Sequence, residues 1–397
     1  MPGPLDGVTV LDLTNVLAGP FCCHQLAHLG ASVIKVEAPG RGDLARQLGA
    51  DPDLNARDMG VSFLAQNAGK RSITLNLKHP SGKAILRRLV ERADVLVENF
   101  RPGVMDRLGL GPATLRADNP RLIYCAISGF GQDGPWAHRP AYDQIIQGAA
   151  GVMAVTGDAD SAPLRVGYPV ADTVGGLTAA MAVCAALNER PRGRVIDVSM
   201  LEAVIATMGW AVSNWLIAGV APRPAGNENL TAAPSGTYRC ADAPINIAAN
   251  KQEQWEALAR CLGREDLLAR PDFADREARK ANRAALKAEL EKTLAGCEAR
   301  PLARALNALG VPAGAVFTPE QILAHPVIAG RGMLATFPDA PGVGRDVTVA
   351  RIGVKLDGVP PSVDAPPPRL GEHTDAILAD LGLSSAEIAA LRERGAL

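Results

Sequence analysis

A strand, a helix and a second strand are written one after another at the start of this chain, and that pattern restricts the fold more than any other feature. Val8-Thr-Val-Leu-Asp-Leu13 is an apolar run of strand length. Asn15 to Pro20 reads as a turn, with Pro20 suited to a first helical position. Phe21 to Leu29 then fits a helix closed by Gly30, and Ala31 to Glu37 is a second apolar run. Two such strands joined by a helix lie parallel, because parallel neighbours need a long crossover. The pattern recurs. Ser72 to Leu77, Asp94 to Phe100, Leu122 to Ser128 and Arg194 to Ser199 read as further strands. Pro80 to Arg92 has the apolar spacing of a helix packed on a sheet, and a helix is expected around Met200 to Trp210. The expected fold is α/β: a doubly wound parallel sheet with helices on both faces.

The pattern changes after residue 218. Gly219 to Gly236 is rich in Gly, Pro, Asn and Ala and reads as a linker. A short strand, Ile245 to Ala249, precedes three expected helices at Gln252 to Leu262, Asp275 to Ala295 and Pro301 to Leu309. From about Arg331 the chain turns β-rich. Val359 to Pro368 is a Pro-rich surface connection, and Ser385 to Arg394 forms a last amphipathic helix. Residues 1–218 plus 331–397 are therefore expected to form a large domain, and 219–330 a linker and a smaller α+β domain. A chain of 397 residues is long enough for two such cores.

Asp172 is the candidate catalytic residue. It stands in Val166-Gly-Tyr-Pro-Val-Ala-Asp172-Thr-Val-Gly-Gly176, between a strand-like apolar run and a helix expected from Leu177 to Leu187. A carboxylate at a strand-to-helix turn can attack an acyl group. It can equally cap the helix. The two glycines would let a large substrate approach the backbone, and their N–H groups are candidates to hold a developing oxyanion.

Several segments carry a family resemblance. They are Leu5-Asp-Gly-Val-Thr-Val-Leu-Asp-Leu13, Ala18-Gly-Pro20, Gly30-Ala-Ser-Val-Ile-Lys-Val-Glu37, Asn67-Ala-Gly-Lys-Arg-Ser72, Val97-Glu-Asn-Phe-Arg-Pro-Gly103, Pro140-Ala-Tyr-Asp143, the Asp172 segment and Leu370-Gly-Glu-His-Thr374. In order and spacing the chain resembles the class III CoA-transferases, the formyl-CoA and carnitine CoA-transferase family, over nearly its whole length. The resemblance implies a Rossmann-like large domain, a small domain and an interlocked homodimer. It also implies transfer of CoA from an acyl-CoA thioester to a free carboxylic acid, with Asp172 as nucleophile. The acyl-CoA is a co-substrate, and no tightly bound cofactor is expected. By resemblance, Val16, Leu17 and Ala18 would lie against CoA. Leu75, Asn76, Leu77 and Lys78 would hold its adenine and phosphate. Asn99, Phe100, Arg101, Arg107, Tyr142 and Asp143 would complete the site. Arg41 would stand in for a basic residue that the formyl-CoA branch carries where this chain has Ala38. That branch also has a glutamine at the place of Leu17 and a glycine run where this chain reads Asn246-Ile-Ala-Ala-Asn-Lys251. These departures point away from oxalate as acceptor and toward a larger dicarboxylate or another acid, and the resemblance implies succinyl-CoA as donor.

Other function classes are weighed on single residues. The α-methylacyl-CoA racemases share the resemblance but carry Gly-His-Asp where this chain has Ala141-Tyr142-Asp143, and a neutral tyrosine is a poor base near pH 7. A CoA-binding protein without catalysis would not need Asp172. Glu37 ends the second strand as a ribose-binding acid would, but the turn before it lacks G-x-G-x-x-G. A net charge of −1 and a 4% aromatic content leave nucleic acid without a footprint. His24 and His28 have a metal-compatible spacing but no HExxH acid, so no metal is expected. The seven cysteines form no CxxC pair, and Met1 to Asp6 has neither a basic nor an apolar leader region. The longest apolar stretches, such as Leu177 to Leu187, read as too short to span a bilayer, so the expectation is a cytoplasmic enzyme without a membrane partner.

Overall fold

The computed structural model describes residues 3–397; Met1 and Pro2, where the reading of the N-terminus starts, lie outside them. The chain divides into two compact units. The larger comprises residues 3–152, 165–218 and 326–397, and the smaller comprises 153–164 and 219–325. Residues 153–164 thus join the smaller unit, against the sequence boundary, through contacts such as Gly226 N–H donating to the Gly157 carbonyl at 2.7 Å. Residues 326–330 belong to the larger one.

Six parallel strands build the larger unit: β1 (Thr9–Asp12), β2 (Ser32–Glu37), β3 (Lys70–Thr74), β4 (Val95–Glu98), β5 (Ile123–Ser128) and β6 (Arg194–Ser199). Their order across the sheet is β3-β2-β1-β4-β5-β6, the order of a doubly wound dinucleotide-binding sheet. Chain direction across the sheet reverses between β1 and β4, and a crevice opens outside the strand C-termini at such a point. Alternate side chains feed two separate cores. Val10, Val33, Val95, Val97 and Cys125 pack on one face. Leu11, Ile34, Ile73, Leu96 and Tyr124 pack on the other.

The helices that matter for the site are α1 (Ala18–His28), α2 (Pro80–Val90), α3 (Asp143–Ala149), α4 (Val170–Leu187), α5 (Met200–Thr207) and α6 (Trp210–Ala218). α1 and α4 cover the first face; α2 and the helix Thr374–Asp380 cover the second. α1 begins earlier than expected, so Pro20 is its third residue, where a missing N–H is still harmless. Gly30 follows α1 at φ +105°, a conformation glycine adopts without strain. The helix expected over 200–210 breaks instead at Gly209 (φ +53°), and α5 and α6 meet at 80°.

α4 departs most from its sequence reading. No strand precedes it, and its eighteen residues include Asp172 and both glycines. It is therefore long and apolar enough to cross a membrane. Its Ala171, Gly175, Gly176, Ala179 and Val183 are nevertheless buried, the pattern of a core helix.

His24 and His28 of α1 are buried, with their Nε2 atoms 3.1 Å apart. Burial holds His24 down at about 3 and His28 at about 4, so both are neutral near pH 7. No group of three metal-capable side chains is found among the described residues.

The smaller unit is α+β. An antiparallel sheet of Ser235–Arg239, Pro244–Ala248 and Ala313–Ala315 packs Tyr238, Ile245 and Ile247 against Trp255, Leu258, Leu286, Leu290 and Leu306. The long helix expected over 275–295 is two helices, Arg276–Ala281 and Arg283–Leu294, divided at Asn282.

Candidate active site

The turn after β1 runs over a buried cluster of charge. Lys35 Nζ sits 2.9 Å from Asp43 Oδ2 and 3.9 Å from Asp12 Oδ2, and Lys70 Nζ sits 2.8 Å from Asp12 Oδ2, all four side chains inaccessible to water. Burial alone would raise the Asp12 pKa, but the Lys35 and Lys70 ammoniums outweigh it and hold the carboxyl at about 2. Each ion also grips the turn. Lys35 donates to the Thr14 carbonyl at 3.0 Å, and Lys70 to the Pro20 carbonyl at 2.9 Å. Asp43 accepts the Val16 N–H at 2.9 Å. Asn99, just past β4, accepts the Asn15 N–H and donates to the Asn15 carbonyl, both at 2.8 Å. These bonds hold Val16 at φ +67°, a strained conformation for a β-branched residue.

Two adjoining cavities lie beside this turn and share Asn15 and Phe100. The larger, of 530 Å³, is lined by Leu75, Asn76, Leu77 and Lys78 with Thr14, Glu37, Ala38 and Val104. The smaller, of 180 Å³, is lined by Val16, Leu17, Ala18, Asn99, Tyr142 and Asp172 with Ile127, Ser128, Gly129, Ala141 and Met200. Residues from five segments expected to act together are thus brought to one place. Asn76 faces it with its amide committed, because Nδ2 donates to the Gly395 carbonyl at 3.0 Å. Glu37, the acid of the dinucleotide reading, is locked bidentately to Arg46 at 2.6 and 2.8 Å.

Four expected site residues line neither cavity. Arg41, Arg101 and Arg107 are exposed. Arg107 does stand on the short helix Val104–Leu108, both of whose end residues line the larger cavity. Asp143, the first residue of α3, is buried. Its Oδ1 accepts the Ala171 N–H at 2.8 Å and, more weakly, the Asp172 N–H at 3.5 Å. Its Oδ2 is held by Gln147 Nε2 at 2.7 Å and faces Arg165 at 3.4 Å. Asp143 therefore caps α4 from a neighbouring helix. The residue at the N-cap position, Pro169, makes no side-chain capping bond.

That arrangement corrects the capping reading of Asp172. Asp172 is the third residue of α4, and no hydrogen bond to its carboxylate is found among the described residues. Burial, and then the charge of Asp143, push its pKa up to about 7. The glycines are corrected too. Inside α4 their N–H groups belong to the helical hydrogen-bond ladder and do not point at an oxyanion. What they supply is room: a Cβ on Gly176 would lie 2.5 Å from the Ala18 carbonyl oxygen, and one on Gly175 would lie 2.8 Å from Met200 Cγ. Sequence reasoning missed Asn15, Ser128, Gly129 and Met200. Ser128 was within reach, since it ends a strand that the sequence marks correctly.

Residues 5–374 match the description of CoA-transferase family III. The chain belongs to this family. It is 42% identical over 336 residues to the acetyl-CoA:oxalate CoA-transferase of Acetobacter aceti, covering 84% of this chain and 85% of that one. It is 36% identical over 398 residues to the succinyl-CoA–D-citramalate CoA-transferase of Chloroflexus aurantiacus, covering 99% and 98%. The crystal structure of a CAIB/BAIF family protein from Brucella suis superposes with a TM-score of 0.84 at 36% identity, covering 96% of this chain and all of that one. The protein is a CoA-transferase, and a CoA thioester is its co-substrate.

The electrostatics of this CoA-transferase predict an unusual titration. Carbon-13 NMR of the Asp172 carboxyl should give a midpoint near 7. In Asp143→Asn the repelling charge is lost while an oxygen remains to accept the Ala171 N–H, so the midpoint should fall. A wild-type midpoint near 4, unmoved by Asp143→Asn, would contradict this account.

Proposed function

We propose that the enzyme moves CoA from an acyl-CoA, with succinyl-CoA as first candidate donor, to a free dicarboxylic acid, using Asp172 as nucleophile. The observation that carries this reading is the position of Asp172, an unbonded, half-buried carboxylate lining a small cavity that adjoins a larger one. The larger cavity suits the nucleotide end of CoA. Lys78 lines it, and Arg41, Arg101 and Arg107 neighbour its lining residues in sequence, so cations are at hand for phosphates. The smaller cavity takes the thioester.

In this mechanism an Asp172 oxygen attacks the thioester carbonyl carbon. The C–S bond breaks and CoA leaves as a thiolate, giving a mixed anhydride. The thiolate then attacks the aspartyl carbon of that anhydride and releases the donor acid as its carboxylate. The resulting aspartyl-CoA thioester is attacked by the acceptor carboxylate, and the same two steps run backward to acceptor-CoA and free Asp172. Each step exchanges one activated acyl group for another. Attack needs the carboxylate form of Asp172.

The racemase reading rests on a histidine that this chain lacks at position 142. Tyr142 occupies the position of the racemase histidine, is 69% exposed and lines the smaller cavity beside Asp172. For the acceptor, the names of relatives give several larger acids, D-citramalate, glutarate and mesaconate, and one small one, oxalate. Oxalate therefore stays in the panel despite the departures noted in the sequence.

We also propose a homodimer. α6 buries none of its side chains, and Trp210, Trp215, Leu216 and Ile217 are 56–86% exposed. Met181 and Leu177 of α4 add to the open apolar surface. Such area calls for a protein partner, and a second copy is always at hand. Sedimentation at nanomolar concentration should find twice 41.4 kDa; an active monomer would refute it.

The acid panel decides the chemistry. Succinyl-CoA and acetyl-CoA are mixed with itaconate, mesaconate, malate, glutarate, D-citramalate and oxalate, and new thioesters are sought. Asp172→Asn and Asp172→Ala should each lower transfer by about 10³-fold or more. Near-normal transfer by folded Asp172→Asn would overturn the nucleophile.

A further inference from the structure

We propose that Ser128 is a further catalytic residue: its hydroxyl donates a hydrogen bond to the substrate's acyl oxygen while that carbonyl is attacked. The inference rests on the proposed use of Asp172 and names a donor which that reading lacks.

Ser128 is the last residue of β5, at the sheet end where ligands bind. It lines the smaller cavity together with Asp172. The residue is 92% buried, and its Oγ has no hydrogen-bond partner. Buried hydroxyls are almost always bonded, so an orphan at the wall of a cavity calls for a partner that arrives. A serine has a single side-chain torsion carrying its hydroxyl, which can turn to a new acceptor without moving the strand.

Several other polar groups in or near the cavity are committed or open to water. Asn99 uses both ends of its amide on the Asn15 backbone. Tyr142 is largely exposed. Val16 N–H is taken by Asp43, and the amides of Gly175 and Gly176 lie within α4. Ser128 is a buried donor without a partner at this wall, and a hydrogen bond to developing charge counts most where water is excluded.

The step balances without a proton leaving Ser128. An Asp172 oxygen forms a bond to the carbonyl carbon, and the C=O pair moves onto oxygen, where the Ser128 O–H donates to it. The pair then returns as the C–S bond breaks, and CoA departs with the sulfur electrons.

The test is Ser128→Ala, assayed beside wild type and Asp172→Asn. Expected is a kcat about 10²–10³-fold below wild type, with acyl-CoA affinity within about threefold. The melting temperature should be unchanged or higher, because an unbonded buried hydroxyl is removed. Ser128→Thr, which keeps the hydroxyl, should recover most of the loss. Ser128→Ala with kcat within about threefold of wild type would overturn the role of Ser128 alone. A Ser128→Ala protein that melts far lower would mark a packing residue and overturn it as well. Wild type as inactive as Asp172→Asn on every acid would take down the underlying reading too.

Discussion

Everything in the candidate site leans on four buried charges, Asp12, Lys35, Asp43 and Lys70. Sealed from water, two ammoniums and two carboxylates must satisfy one another, and removing one partner of such a set costs about 3–5 kcal/mol. The geometry that satisfies them also fixes the chain above. The carbonyls of Thr14 and Pro20 and the N–H of Val16 are claimed by these ions. Val16 is thereby held left-handed, and the walls that Asn15, Val16, Leu17 and Ala18 give to the smaller cavity stay in place. Folding energy and site geometry are here the same set of contacts.

A second constraint acts on the other wall. α4 has to approach α1 closely enough to bring Asp172 to the cavity. Glycine at 175 and 176 permits the approach, since a methyl group at either would collide with Met200 or with the Ala18 carbonyl. The first amides of α4, which have no partner within the helix, are satisfied by Asp143 rather than by a residue of the same turn. This leaves the Asp172 carboxylate free. An aspartate that capped its own helix would have its oxygens occupied; this one is unbonded and raised toward neutrality by burial and by Asp143. Freedom from hydrogen bonds leaves its oxygens open for attack, and the raised pKa makes the ionised form more basic while lowering its share near pH 7.

The sheet and its ligand end were legible in the sequence, because six apolar runs alternating with helical spacing leave little choice of topology. Strand ends then located most of the cavity walls. The unread parts share one physical cause: they are contacts between residues far apart in the chain. Nothing local says that Asp143 caps a helix twenty-seven residues on, so Asp172 looked like its own cap. Nothing local separates a glycine that makes room for a ligand from one that makes room for a helix. The break at Gly209 and the attachment of 153–164 to the smaller unit likewise depend on tertiary packing. Arg41, Arg101 and Arg107 came from resemblance, and their exposed side chains beside the larger cavity leave their part in CoA binding as a proposal.

The central claim is that Asp172 forms a covalent acyl bond during turnover. Hydroxylamine added during turnover with an acyl-CoA should convert an activated aspartate to its hydroxamate, and peptide mass spectrometry should find that mass shift on the peptide containing Asp172 and on no other. The account predicts modification that requires the acyl-CoA and is absent in Asp172→Asn. An enzyme that turns over in hydroxylamine with that peptide unmodified would contradict it.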